Sequence, residues 1–203
     1  MIQAADPPLV LASTSAARRA LLAAAGLSFE TVPAGIDETV IRDEERAAGR
    51  SAGEAALALA VAKALSVARR RPDAVVIGAD QILVCDGVSF DKPADLGAAR
   101  KQLHWLRGRE HVLATAVAFV QGRDVLFRGV AEPRLRIRAF SDAFLEDYLT
   151  IEGMSVLGSV GCYRLEGLGL QLFEAIEGEH SAILGLPMLS VLSVLRDIGL
   201  LKA

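Results

Sequence analysis

Residues 9–29 read LVLASTSAARRALLAAAGLSF. The apolar run 9–12 stops at three hydroxyls, Ser13, Thr14 and Ser15, and a helix-like segment then opens with Arg18 and Arg19 in its first turn. Cations there face the positive end of the helix dipole, which disfavours them. A bound anion removes that conflict, because free backbone N–H groups, hydroxyls and a guanidinium all point at it. The stretch reads as strand, turn and helix, the opening unit of an α/β fold, with a phosphate cradle in its turn.

Outward from this unit, strand-like and helix-like segments alternate. Residues 29–34 alternate like a strand, and the charged residues 39–50 fit a loop or a short helix. Ser51 with Glu54 three residues later is a capping-box signature for a helix reaching Arg70. Leu57, Val61, Ala64, Leu65 and Ala68 are its expected apolar face. Asp73 introduces a buried-type strand over 74–79 that ends at Asp80, and 82–85 continue extended to a hairpin turn at Asp86-Gly87. Residues 96–106 read as a helix closed by Gly108, and 111–120 and 124–140 as strands around Gln121-Gly122. Arg134, Arg136 and Arg138 alternate with Leu135 and Ile137, the pattern of an antiparallel strand with one solvated face. Ser141 caps a helix to about Ile151, residues 153–178 are glycine-punctuated and strand-like, and 186–199 form a last amphipathic helix. Several neighbouring strands look antiparallel, so the expectation is α/β with a mixed sheet, not a regular βαβ series. The length, 203 residues, fits one domain over 1–203.

Composition narrows the function. A formal net charge of −3 gives no general attraction to a nucleic acid polymer or an anionic membrane, so the arginines act locally. Hydrophobic content is 52% with only 5% aromatics, which suits close helix–sheet packing. Cys85 and Cys162 form no C-x-x-C pair and read as core thiols; two cysteines without a secretory signal favour the cytoplasm. The uncharged stretch 181–195 contains Pro187 and is too short to span a bilayer comfortably. His104, His111 and His180 show no metal-ligand spacing.

Five residues then stand out. Asp80 follows AVVIGA at the carboxyl end of a central strand, where open α/β sheets bind ligands, although an aspartate there also caps turns. Lys63 is the lone charge between Ala55 and Val67, and in so apolar a helix it either snorkels or meets an anion. Lys92 sits in the rigid turn Phe90-Asp91-Lys92-Pro93. Asp37-Glu38 follows the second strand and offers either a helix cap or a second carboxylate. With Arg18, these groups are what metal-dependent cleavage of a polyphosphate needs: carboxylates for Mg²⁺ and for a proton, cations for phosphate charge. Neither G-x-x-x-x-G-K-[ST] nor a helix-opening G-x-G-x-x-G is present, which argues against P-loop and Rossmann sites.

Seven blocks in order then resemble the Maf family of nucleotide pyrophosphatases: LASTSAARRALLAAAGLSFETVPAGIDE, ALAVAKA, IGADQILVCDG, DKPAD, LRGREHVLATAVA, GSVGCYRLEGLGLQLFEAIEG and ILGLPM. The resemblance implies hydrolysis of a nucleoside triphosphate to the monophosphate and pyrophosphate with Mg²⁺ or Mn²⁺. It also implies an elongated, twisted mixed sheet flanked by helices, with two lobes around a cleft as in Maf and ITPase-like proteins, and often a homodimer. By motif, Asp80 is the general base, Glu38 with Asp80 the metal-site carboxylates, Ser13, Ser15 and Arg18 the phosphate cradle, and Lys63 and Lys92 the phosphate clamps. A nucleotide-binding regulator of septum formation without turnover is the competing reading, and both catalytic-type carboxylates argue against it. A phosphotransferase would need a nucleotide-donor motif that the sequence lacks.

Three positions bear on the base. The family branch acting on dTTP and UTP typically has S-P-R-R, Asp-Thr and I-Q-G where this chain has Ala16-Ala17-Arg18, Asp80-Gln81 and Leu165-Glu166-Gly167. Ala17 lacks that branch's arginine, and Gln81 and Glu166 resemble the 7-methyl-GTP branch. A carboxylate can accept both N1–H and N2–H₂ of a guanine edge and favours the positive charge that N7 methylation adds. Leu165, where that branch would have serine, leaves room for a different nucleotide preference.

Overall fold

A computed structural model describes residues 2–202. In chain order its elements are β1 (Leu9–Leu11), α1 (Ala16–Ala24), β2 (Glu30–Thr31), α2 (Glu38–Ala47), α3 (Ala52–Ala68), β3 (Val75–Cys85), β4 (Val88–Phe90), α4 (Leu96–Leu106), β5 (Glu110–Gln121), β6 (Asp124–Ala131), β7 (Arg134–Ile137), α5 (Asp142–Glu152), β8 (Phe173–Glu177), α6 (His180–Ile183) and α7 (Met188–Asp197). Strand order is β2-β1-β3-β5-β7-β8, with β4 on β3 and β6 on β5, a mixed sheet flanked by helices.

Local chemistry accounts for most boundaries. Ser15 accepts from Arg18 N to start α1, and Asp37 accepts from Thr39 N and Val40 N to start α2. The charged stretch after Asp37 is therefore helix and not loop. The capping box of Ser51 and Glu54 is formed at α3. Asp86 at φ 50° and Gly87 at φ 77° make the left-handed pair that a two-residue hairpin between β3 and β4 requires. The long 124–140 strand divides at Pro133 into β6 and β7. Leu135 and Ile137 are buried while Arg134 and Arg136 are exposed, as their alternation predicts.

Three expectations are corrected. Asp80 does not end a strand: β3 runs through it as one strand to Cys85, because a counter-ion satisfies the carboxylate inside the fold. The buried face of α3 is Ala56, Leu59, Ala60, Lys63, Ala64, Val67 and Ala68; of the expected face Ala64 and Ala68 are buried, whereas Leu57, Val61 and Leu65 are half-buried beside it. Nearly every position of this helix is apolar, so periodicity does not choose the face, and Ala60 and Ala64 lie against Gly78 of the sheet. Residues 153–178 are mostly not strand: two 3-10 helices, Gly153–Gly158 and Leu168–Leu172, precede the short β8. Gly169 in the second of them serves a close backbone approach, since a Cβ there would lie 2.5 Å from Arg164 O, and Gly153 supplies a positive φ of 54° at the start of the first.

The chain forms two compact units, the first from residues 1–81, 115–131 and 179–203, the second from 82–114 and 132–178. In the first unit β1 lies parallel between β2 and β3, with Val10 opposite Glu30 and Val76. Strand alternation splits its core into two layers. Leu9, Leu11, Val75, Ile77 and Phe119 pack with Leu22 of α1 and with Val191, Val194 and Leu195 of α7. Val10, Ala12 and Val76 pack with Ala64, Val67 and Ala68 of α3. Residues 76, 78 and 80 thus share the α3 face of β3. Gly78 permits the contact: a Cβ there would lie 2.0 Å from Ala60 O and 2.9 Å from Ala64 Cβ.

In the second unit β7 pairs antiparallel with β5 and β8, and α4 and α5 carry the buried Leu103, Leu106, Leu145 and Tyr148. Cys85 and Cys162 are buried free thiols, and burial pushes Cys162 up to about 12. His111 is 1% exposed, 2.7 Å from the Tyr163 hydroxyl, and burial pushes its imidazole down to about 4. The unfolded chain takes up this proton near pH 6.5, the ordinary value, while the folded chain resists it down to about 4. Stability from His111 is therefore complete above the ordinary value and is lost as pH falls toward 4, by about 3 kcal/mol in total. Urea unfolding of the native chain and of His111→Gln should show a shallower acid loss in the variant; parallel loss would contradict this. Among the described residues no helix is long and apolar enough to cross a membrane.

Candidate active site

Asp80, mid-strand in β3, is 4% exposed. Its Oδ1 accepts from Lys63 Nζ at 2.7 Å, and Lys63, on the face of α3 opposite, also lies 2.9 Å from Glu38 Oε1. Glu38 is placed by Asp37, which caps α2 and leaves the next side chain at the helix start. Asp80 Oδ2 is buried and accepts no hydrogen bond. Lys63 thus does not snorkel; it meets two carboxylates.

Arg18 projects from α1 into the same unit. Its Nε donates to Gly185 O at 2.8 Å and its Nη1 to Ala79 O at 2.9 Å, with Ser13 Oγ at 3.5 Å. Burial pushes its guanidinium below the ordinary value, and the Asp80 and Glu38 carboxylates raise it again. The first-turn cation is therefore offset by two carbonyls and two carboxylates, whereas the dipole argument invoked only an external anion. Ser13 Oγ accepts from Ser15 N, and Ser15 Oγ from Arg18 N, so both hydroxyl hydrogens remain to be directed at a ligand.

The first unit therefore assembles Ser13, Ser15, Arg18, Glu38, Lys63 and Asp80. Ala17 is half-buried in the first turn of α1. Gln81 points away from α3: its Nε2 lies 2.8 Å from Thr115 Oγ1, 3.0 Å from Ala182 O and 3.1 Å from Ile183 O, so its amide hydrogens are held by the protein. Lys92, after β4, and Glu166, exposed between the buried Leu165 and the exposed Gly167, belong to the second unit.

Sequence reasoning missed Arg42. Its Nη2 is 3.5 Å from Glu38 Oε2 and 3.9 Å from Asp80 Oδ2. The i, i+4 spacing from Glu38 could have revealed it once 38–47 was read as helix. The Gly185 carbonyl that holds Arg18 had no signal, being backbone 167 residues away.

No group of three or more His, Cys, Asp or Glu residues among those described could hold a metal alone. The donor set still fits a hard divalent cation. Mg²⁺ is usually held by one or two carboxylates together with substrate phosphates and waters. Glu38 and Asp80 supply that number, and Asp80 Oδ2 is a buried oxygen lacking a donor.

A family model described as Maf-like protein matches residues 8–198. The chain is 52% identical over 189 residues to a nucleoside triphosphate pyrophosphatase of Granulibacter bethesdensis, covering 93% of this chain and 96% of the relative. It is 46% identical over 195 residues to a nucleoside triphosphate pyrophosphatase of Rhodospirillum rubrum, covering 96% of each. Identity is also 46%, over 197 residues, to a 7-methyl-GTP pyrophosphatase of Rhizobium meliloti, covering 97% of this chain and 99% of the relative.

Proposed function

The chain belongs to the Maf family, and from that premise we propose that it is a hydrolase that splits nucleoside triphosphates into the monophosphate and pyrophosphate. The observation that carries this reading is Asp80. It is a buried carboxylate with one oxygen on Lys63 and the other free to accept from water. Asp80 takes a proton from the water that attacks the α-phosphorus. Arg18 and Lys63 bind phosphate oxygens, and Ser13 and Ser15 donate to them. Glu38 and Asp80 would hold Mg²⁺ or Mn²⁺, which would supply charge neutralisation on the phosphates. Purified protein with either metal is expected to release pyrophosphate from at least one of 7-methyl-GTP, GTP, UTP and dTTP; folded protein that releases none from any of them contradicts the reading.

For the base, we infer a preference for a modified guanine nucleotide. Support comes from the relative named for 7-methyl-GTP and from Glu166, an exposed carboxylate suited to a guanine edge. Glu166→Gln keeps one acceptor and loses the charge. It should lower kcat/KM for 7-methyl-GTP about tenfold relative to UTP. An unchanged rank order across the four nucleotides would remove Glu166 from base reading.

A further inference from the structure

Arg42 has no role in the hydrolysis just described, yet it touches both carboxylates. It follows Glu38 by one turn of α2, so the two side chains share a helix face. Lys63 takes Glu38 Oε1 at 2.9 Å and Asp80 Oδ1 at 2.7 Å. Arg42 faces the opposite oxygens, Glu38 Oε2 at 3.5 Å and Asp80 Oδ2 at 3.9 Å. Two carboxylates and two cations form a neutral quartet, and Arg18, which both carboxylates influence, adds a positive charge beside it. Its inner side is sheltered, with the Lys63 and Asp80 side chains 9% and 5% exposed, while Arg42 at 27% and Glu38 at 41% face outward.

We propose that Arg42, together with Lys63, is an internal counter-ion that keeps divalent metal off the Glu38–Asp80 pair until a polyphosphate binds. The inference rests on the triphosphate reading above for its ligand. A free divalent cation entering a neutral quartet beside Arg18 brings like charges together where Coulomb interactions are stronger than in water. A polyphosphate reverses the balance. Its oxygens give Arg42 and Lys63 anions outside the pair, and they complete the oxygen shell a hard cation takes. Metal and nucleotide then bind with positive coupling, and each tightens the other by the same factor. Arg42 is the more exposed of the two cations, so it is the one that turns outward to the nucleotide.

Mn²⁺ binding to the whole protein, followed by the electron paramagnetic resonance of the free ion, reads this coupling without turnover. The probe nucleotide is a GTP analogue with a methylene bridge between its α and β phosphorus atoms. In the native chain the analogue should tighten Mn²⁺ about tenfold or more. Arg42→Gln should raise nucleotide-free Mn²⁺ affinity about tenfold and shrink the coupling. Arg42→Met carries the same expectation, so loss of fold in one variant leaves the other to read it. Arg42→Lys should behave as native. Arg46→Gln, which removes the same charge one turn on from a pair with Asp43, should change neither quantity. Equal nucleotide-free Mn²⁺ affinity in native and Arg42-neutralised protein overturns the proposal, as does an equal effect of Arg46→Gln. Absence of pyrophosphate release with the coupling intact would instead count against the hydrolase reading.

Discussion

Asp80→Asn is expected to lower turnover by about 10³-fold while leaving the protein folded. The substitution keeps the shape of the side chain and removes its capacity to take a proton. It also turns the group facing Lys63 from an anion into a neutral amide. Lys63 is not stranded, because Glu38 Oε1 lies 2.9 Å from it. The loss should therefore fall on kcat, with a cooperative unfolding transition still present. Single-turnover kinetics and thermal unfolding of the variant check the two halves separately. Full activity in folded Asp80→Asn would remove Asp80 from the chemistry.

The second large effect is on the scaffold. Gly78→Ala should destabilise the first unit by about 3 kcal/mol or more. The added Cβ would meet Ala60 O at 2.0 Å, Ala64 N at 2.8 Å and Ala64 Cβ at 2.9 Å. The first two are backbone atoms of α3, so no rotamer change relieves the clash and the helix must move off the strand. Lys63 lies between those residues and Asp80 lies two positions beyond Gly78, so the same displacement opens the 2.7 Å ion pair. Urea unfolding should show the lost stability, and kcat should fall in the fraction that remains folded. Gly122→Ala is the comparison: it has open space but a φ of 58°, and costs about 1 kcal/mol from backbone strain alone. Equal stability of Gly78→Ala and native protein would contradict the packing of α3 on β3.

Where a boundary is made by residues adjacent in sequence, it was legible before any coordinates. The Ser51–Glu54 box, the Asp86-Gly87 turn and the arginine alternation on β7 are of this kind. What escaped were choices made by partners far along the chain. The face of α3 is selected by the missing Cβ of Gly78, and periodicity cannot see this in a helix that is apolar almost all round. Asp80 looked like a strand end because a charge normally stops a buried run, and Lys63 removes that reason from 17 residues away. The glycines of 153–178 read as strand punctuation but serve 3-10 turns and close approaches. At the site, the carboxylates and Lys63 could be singled out because charges in apolar surroundings are conspicuous. Arg42 could not, because in a charged segment one more arginine carries no contrast.

The proposed hydrolysis stands on attack of water at the α-phosphorus of a nucleoside triphosphate. Hydrolysis in water enriched in heavy oxygen, with the products resolved by mass spectrometry, tests it most directly. One labelled oxygen is expected in the nucleoside monophosphate and none in the pyrophosphate. Label in the pyrophosphate, or orthophosphate as the first product, would contradict it.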